Sequence, residues 1–131
     1  KNNLIYYSGN FVTYNFALIH RKIIYNLIYN KTIDKNFLDI LAKIDIIVFY
    51  SCNAAKNFLE LLDEQAFLNL LSHKKIVTLS YKIAQLFTKI SDEVFYSNDS
   101  CNEQLLAIIK WIIANQSKNQ FLPMPPFMLC L

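Results

Sequence analysis

Five short runs rich in apolar residues, each followed by a polar residue, dominate this sequence. The most continuous run covers residues 46–50, and Ser51 follows it directly. Strands that read as near-continuous apolar runs are typical of parallel sheets with both faces covered. The five predicted strands cover residues 4–7, 23–29, 46–50, 76–79 and 94–96.

The segments between these runs have apolar residues every three or four positions, which is the spacing of one helix face. Asp34 is expected to begin one such helix, and Ser100 with Glu103 matches a capping box at the start of the last one. The alternation predicts an α/β fold, a flavodoxin-like doubly wound parallel sheet of about five strands with helices on both faces. The apolar faces of these two helices are Phe37, Ile40, Leu41 and Ile44, and Leu105, Ile108, Ile109 and Ile112.

The domain is expected over residues 1–117, and residues 118–131 are expected to form an irregular, proline-rich tail. Three prolines within four positions exclude a helix there. Because the tail is apolar, it either packs against the domain or forms a disordered end.

The composition excludes several functional classes. With 131 residues and a net charge of +3, the chain suits one domain and has no basic run for nucleic acid. Three cysteines and two histidines without ligand spacing give no support to a metal site. No membrane span and no signal peptide are predicted, so a cytoplasmic protein with reduced thiols is expected. A monomer is expected as well. The chain is expected to be a piece of a larger protein.

Ligands of open parallel α/β sheets bind beyond the carboxyl ends of the strands. Hydroxyl and amide side chains recur at that point of each predicted strand, which suits an anionic ligand near free backbone N–H groups. Serine and asparagine are also favoured helix N-caps, so a purely structural role stays open for each of them. The strand ends are Ser8-Gly9-Asn10, Tyr29-Asn30, Ser51-Cys52-Asn53, Ser80-Tyr81-Lys82 and Ser97-Asn98.

The sequence lacks the motifs of several well-known binding and catalytic sites. It has no glycine-rich dinucleotide or P-loop motif. A phospho-receiver domain needs a phosphate-accepting aspartate directly after the third strand, and this chain has Ser51 there. No Ser-His-Asp grouping is expected either, because His73 precedes the fourth strand at the opposite edge.

The order of these elements resembles the second half of the uroporphyrinogen-III synthase family. The resemblance covers residues 1–113 and depends on the whole series of elements, since no single motif is specific. Its central part is Asp45 to Ala55, which is followed by a helix rich in Phe and Leu. The other matching segments are residues 4–10, 27–29, 77–80 with Ala84, and 100–111.

The resemblance implies a cytoplasmic lyase of two α/β lobes that uses no cofactor and no metal. Such an enzyme cyclises hydroxymethylbilane, a linear tetrapyrrole with eight carboxylates, with loss of water and inversion of the last ring, in haem biosynthesis. It implies Tyr29 as the catalytic residue, and the first lobe of the same protein as the missing partner. The implied substrate-binding residues are Ser8, Gly9, Asn10, Ser51, Asn53, Ser80, Tyr81 and Lys82.

Two departures from the family pattern keep alternatives open. Many members have Gly-x-Thr-Thr after the fourth strand, where this chain has Ser80-Tyr81-Lys82-Ile83. The first half of the family pattern is also absent, so the isolated chain is expected to be inactive. The alternatives are an inactive remnant and a small flavodoxin-like binding domain without catalysis. Tyr29 is equally well explained as a half-buried structural tyrosine.

Overall fold

The apolar runs form two separate sets of paired strands. The computed structural model describes residues 5–9, 20–26, 28, 31–62, 65–116 and 123–130. The chain divides into two compact units, Lys1–Lys31 and Thr32–Leu131. The single domain expected over residues 1–117 stays a prediction.

The first unit contains a parallel pair of strands, β1 (Ile5–Gly9) and β2 (His20–Tyr25). Their register shifts between Ser8 and Gly9, an irregularity of the β-bulge type. The sequence predicts the second strand over residues 23–29, whereas β2 covers His20–Tyr25. Pairing with β1, rather than apolar content, sets where it begins and ends.

The second unit is built on a four-stranded, mostly parallel sheet in the order β3-β4-β5-β6. Strands β3, β4 and β5 are parallel, and β6 is antiparallel to β5. The prediction of a mixed α/β fold is confirmed. The strands are β3 (Ile46–Phe49), β4 (Lys75–Thr78), β5 (Glu93–Ser97) and β6 (Met128–Cys130), and the helices are α1 (Lys35–Lys43), α2 (Cys52–Leu61), α3 (Gln65–Leu71), α4 (Tyr81–Ala84) and α5 (Asn102–Gln116).

Strand β6 lies inside the segment for which the sequence predicts irregular structure. The prolines exclude a helix but leave the residues after Pro126 free to pair. Leu129 opposes Tyr96 in β5, and the carbonyl of Phe127 accepts the Asn98 N–H at 3.1 Å. Residues 128–130 therefore cover the edge of β5, which would otherwise offer unpaired backbone groups.

Alternation along the strands gives the sheet two apolar faces. On one face, Phe49, Ile76 and Val94 pack with α2, α4 and the 3-10 turn Gln85–Phe87. On the other face, Val77 and Phe95 are covered by α5. The residues of α5 in this contact are Leu105, Ile108 and Ile112, all buried as predicted, with Ile109 partly buried beside them.

A side-chain cap begins helix α1. The Asp34 Oδ1 accepts the Phe37 N–H at 2.7 Å, which confirms the predicted start of α1. Its apolar face differs from the prediction, because Leu41 is buried with α2 and α3 whereas Ile40 is 53% exposed. The predicted helix after β4 is also shorter than expected. It tightens into a 3-10 turn that ends at the fully buried Phe87.

Candidate functional site

The parallel register brings the carboxyl ends of β3, β4 and β5 to one edge of the sheet. Phe49 pairs with Thr78, and Thr78 with Tyr96, so the three strands end at the same level. The β3–α2, β4–α4 and β5–α5 turns therefore lie side by side. We call this the carboxyl edge; it contains five of the predicted site residues, namely Ser51, Asn53, Ser80, Tyr81 and Lys82.

Ser51 caps α2 and stays accessible at the carboxyl edge. Its Oγ accepts the Ala54 N–H at 3.4 Å, and its extended backbone lets the chain turn from β3 into the helix. Ser51 and Asn53 are both exposed. Ser51 thus has a structural role as the cap of α2, and its exposed position leaves its side chain accessible at this edge.

At the end of β4, the predicted hydroxyl is not used as a cap. Ser80 begins α4 without a side-chain cap bond, and the Thr78 hydroxyl donates to the Ser80 carbonyl at 2.9 Å. The Tyr81 ring is 49% exposed and packs against Tyr96 with ring centroids 5.3 Å apart. Lys82 is exposed. The end of β4 therefore presents a hydroxyl, an aromatic ring and an ammonium group in succession.

A tyrosine absent from the predicted site bridges the β3 and β5 ends. The Tyr50 hydroxyl donates to the Asn102 Oδ1 at 2.9 Å, across 52 positions of sequence. Tyr50 is 51% exposed, so its phenol also faces solvent. The sequence signal was weak, because Tyr50 is the last residue of an apolar run and reads as part of the strand.

The β5–α5 turn is held by a glutamine. The Gln104 Oε1 accepts the Ser97 hydroxyl at 2.8 Å and the Asp99 N–H at 3.1 Å, and its Nε2 donates to the Asp99 carboxylate at 2.7 Å. The predicted capping box is wrong by one position, because α5 begins at Asn102 and Ser100 has a left-handed φ of 52°. Gln104, and not Glu103, reaches back over the turn.

The remaining predicted site residues belong to the first unit or lie outside the described residues. The sequence predicts that Ser8 and Gly9 form a turn after the first strand. They are instead the last two residues of β1. Asn10 and Tyr29, the predicted catalytic residue, lie outside the described residues.

Charge at the carboxyl edge is sparse and partly paired. The Asp99 carboxylate accepts from Gln104 and from the Asn98 amide at 3.3 Å. A shifted pKa occurs at another place among the described residues, in β6. Burial raises the pKa of the Cys130 thiol, and the Glu93 carboxylate adds to this effect against an opposing backbone hydrogen bond from Val94. Among the described residues, no group of His, Cys, Asp or Glu side chains has a metal-binding arrangement.

A cavity of about 360 Å³ lies away from the carboxyl edge. It is formed by the end of α3 and by the turns before β4 and β5. The hydroxyls of Ser72, Thr88 and Ser91 in its wall donate to backbone carbonyls of the fold at 2.7–3.2 Å. These bonds stabilise the turns, so we interpret the cavity as a gap between packed elements whose hydroxyls have a structural role. Its lining residues are Leu68, Asn69, Ser72, Thr88, Lys89, Ile90, Ser91 and Asp92.

Comparison of the chain with protein-family models, with curated proteins and with solved structures finds no match in any of the three. None of the helices in the described ranges has the length and apolar character needed to cross a membrane. A function for this chain must therefore be inferred from the carboxyl edge itself.

Proposed function

We propose that this chain is the second α/β half of an enzyme of the uroporphyrinogen-III synthase type. In this proposal the carboxyl edge contacts a linear tetrapyrrole, hydroxymethylbilane, and a first lobe supplies the other wall of the cleft. A doubly wound, flavodoxin-like sheet of about five strands is part of the proposal. The parallel pair β1–β2 and the parallel strands β3, β4 and β5 are pairings contained in the strand order 2-1-3-4-5 of that topology.

The main support for the proposal is that three parallel strands end at the same level, and that neutral hydrogen-bonding groups follow them. Ser51 and Ser80 offer hydroxyls there, and the cap at Ser51 leaves the first N–H groups of α2 near the same edge. A substrate with many carboxylates needs donors spread over a wide edge rather than one deep pocket. The ammonium of Lys82 adds a positive charge.

The cyclisation of hydroxymethylbilane needs few catalytic side chains. Departure of the hydroxyl group leaves a delocalised azafulvene cation, and a phenolic or acidic donor assists that step. The larger task is to hold the chain so that the correct carbon of the last ring is attacked, which is a matter of positioning. Tyr29 is the proposed donor on the strength of the family resemblance. Tyr50 lies at the carboxyl edge but donates its hydroxyl proton to Asn102, so it is the weaker candidate for the donor.

The proposal is tested by the isomer of the product. The chain is joined to the first lobe of a uroporphyrinogen-III synthase and supplied with hydroxymethylbilane, and the isomers are separated by chromatography. The III isomer is expected. Formation of the I isomer alone, the product of spontaneous closure, would contradict enzymatic activity and favour the inactive remnant.

Two conservative variants then locate the donor. Tyr29→Phe is expected to lower kcat about a hundredfold, as loss of a general acid does, with little change in KM. Tyr50→Phe keeps the ring and removes only the bond to Asn102, so it is expected to lower kcat less than tenfold. The reverse order would transfer the donor role to Tyr50.

A further inference from the structure

Residues 127–130, which we call the strap, cover the edge of β5. Strand β6 is the last in the order β3-β4-β5-β6, so among the described strands it pairs with β5 alone. The carbonyl of Phe127 accepts the Asn98 N–H at 3.1 Å, one residue beyond the end of β5. The first residue of the strap therefore lies beside the carboxyl edge and occupies a backbone donor there.

Backbone pairing and the side chain of Phe127 hold the strap in place. Phe127 packs, partly buried, against the apolar cluster that contains Val77 and Phe95. Leu129 is 37% exposed, and Cys130 is exposed. Residues 123–131 include no Lys, Arg, Asp or Glu, so no ion pair adds to these contacts. A segment that buries so little apolar surface is typical of regions that open at low free energy.

The segment before the strap gives it little support. Residues 123–125 belong to no helix or strand, and residues 126 and 127 form a turn. Pro123, Pro125 and Pro126 have no backbone N–H, so they cannot donate main-chain hydrogen bonds. Met124 is 49% exposed. Release of the strap therefore costs its own contacts with β5 and few others.

The backbone groups of β5 alternate between its two neighbours, which separates the strap from the parallel strands. The Asn98 N–H faces β6, and Tyr96, two positions earlier and opposite Leu129, faces β6 as well. The Phe95 carbonyl faces β4, because it accepts from the Thr78 hydroxyl at 3.5 Å. Loss of the strap thus leaves the bonds between β4 and β5 intact.

We propose that the strap opens while the parallel strands β3, β4 and β5 stay folded, and that its opening frees the Asn98 N–H at the carboxyl edge. In the closed state, the Phe127 carbonyl takes the place that an anionic acceptor would have at this donor. In the open state, the N–H faces solvent and is available to an anion. The strap is thus an autoinhibitory contact of the carboxyl edge.

Native-state hydrogen exchange of the full, isotope-labelled chain tests this inference. The amides of Tyr96, Asn98 and Leu129 are expected to exchange with one common opening constant. Their protection factors should be at least about tenfold lower than those of Phe95 and Ser97, whose N–H groups face β4. Low concentrations of urea should not change the exchange of the first three amides, because opening of the strap exposes little surface.

A matched pair of variants at position 129 separates the backbone bond from the side chain. Leu129→Pro removes the N–H that faces β5, whereas Leu129→Ala shortens the side chain and keeps that N–H. Leu129→Pro is expected to lower the protection of Tyr96 and Asn98 about tenfold relative to Leu129→Ala. The protection of Phe95 and Ser97 should be the same in both variants. Phe127→Ala, which removes the apolar contact and no backbone group, should lower the protection of Tyr96 and Asn98 in parallel.

Equal protection of Phe95, Tyr96, Ser97 and Asn98 in the unsubstituted chain would overturn the proposal, because the strap would then open only with the whole sheet. Loss of protection at Phe95 and Ser97 in Leu129→Pro, or loss of its circular dichroism signal, would overturn it as well. Slow exchange of Asn98 beside fast exchange of Tyr96 would reject the link to the carboxyl edge. These results do not depend on the isomer formed by the joined enzyme, so the strap and the proposed function are tested separately.

Discussion

Replacement of Gln104 by alanine tests whether its side chain organises the β5–α5 turn. Gln104 makes three hydrogen bonds over this turn, to the Ser97 hydroxyl and to the backbone and side chain of Asp99. Ser97 is 1% exposed in the intact chain, and truncation of Gln104 removes the side-chain acceptor of its hydroxyl at this buried position. An unpaired buried hydroxyl costs about 1–3 kcal/mol, whereas the two bonds to the exposed Asp99 add about 0.5–1 kcal/mol together.

Gln104→Ala is therefore expected to lower the free energy of unfolding by about 2–3 kcal/mol. For a unit the size of Thr32–Leu131, this corresponds to a fall in Tm of about 10–20 °C. Urea denaturation followed by circular dichroism measures the change, with an unchanged m value showing that the compactness of the two states is unaffected. Gln85→Ala, at an exposed position of the 3-10 turn, is the matched control and should change stability by less than about 0.5 kcal/mol.

A double-mutant cycle isolates the buried hydroxyl. If the cost comes from stranding Ser97, then Ser97→Ala in the Gln104→Ala background should restore about 1 kcal/mol. The same substitution in the wild-type chain should be destabilising. Additive losses in the double variant, or a Gln104→Ala loss no larger than that of Gln85→Ala, would refute the reasoning.

Three further predictions concern the core, a buried lysine and a thiol. Phe87→Ala should lower stability by about 3–5 kcal/mol in urea titrations, because Phe87 is fully buried, and Phe87→Leu should cost clearly less. Lys74→Met should cost about 1–2 kcal/mol by the same assay, since the ammonium donates to the Ile44 carbonyl at the end of α1 at 2.7 Å; no loss would show that this bond is neutral. The raised pKa of Cys130 means that folding favours the neutral thiol, so stability should fall as pH rises above the ordinary thiol pKa. Iodoacetamide should also alkylate Cys130 more slowly than a free thiol near pH 9. Glu93→Gln should speed this reaction. An unchanged rate in that variant would show that the carboxylate does not raise the pKa of the thiol.

The parallel core of the second unit could be predicted from local pattern. Strands β3, β4 and β5 are short runs of β-branched and aromatic residues between helical segments, and both faces of the sheet need apolar cover. Their ends fall within a residue or two of the predicted ones. Ser51 and Ser80 were therefore correctly placed at strand ends.

What the sequence did not indicate depends on contacts between distant segments. Strand β6 follows a proline cluster and forms because β5 has an open edge, which no local pattern shows. The bond between Tyr50 and Asn102 exists only once α5 is docked on the sheet. The start of α5 was misplaced because Ser100 adopts a left-handed conformation, which is unusual for a residue other than glycine.

The central claim is that the carboxyl edge of the parallel sheet binds a carboxylated linear tetrapyrrole. The most direct test is an amide chemical-shift map of the labelled chain during titration with hydroxymethylbilane under conditions that slow its spontaneous closure. Shifts are expected at residues 50–54, 79–82 and 98–103, which follow β3, β4 and β5. Shifts at the cavity between Leu68 and Asp92, or none at saturating ligand, would contradict it.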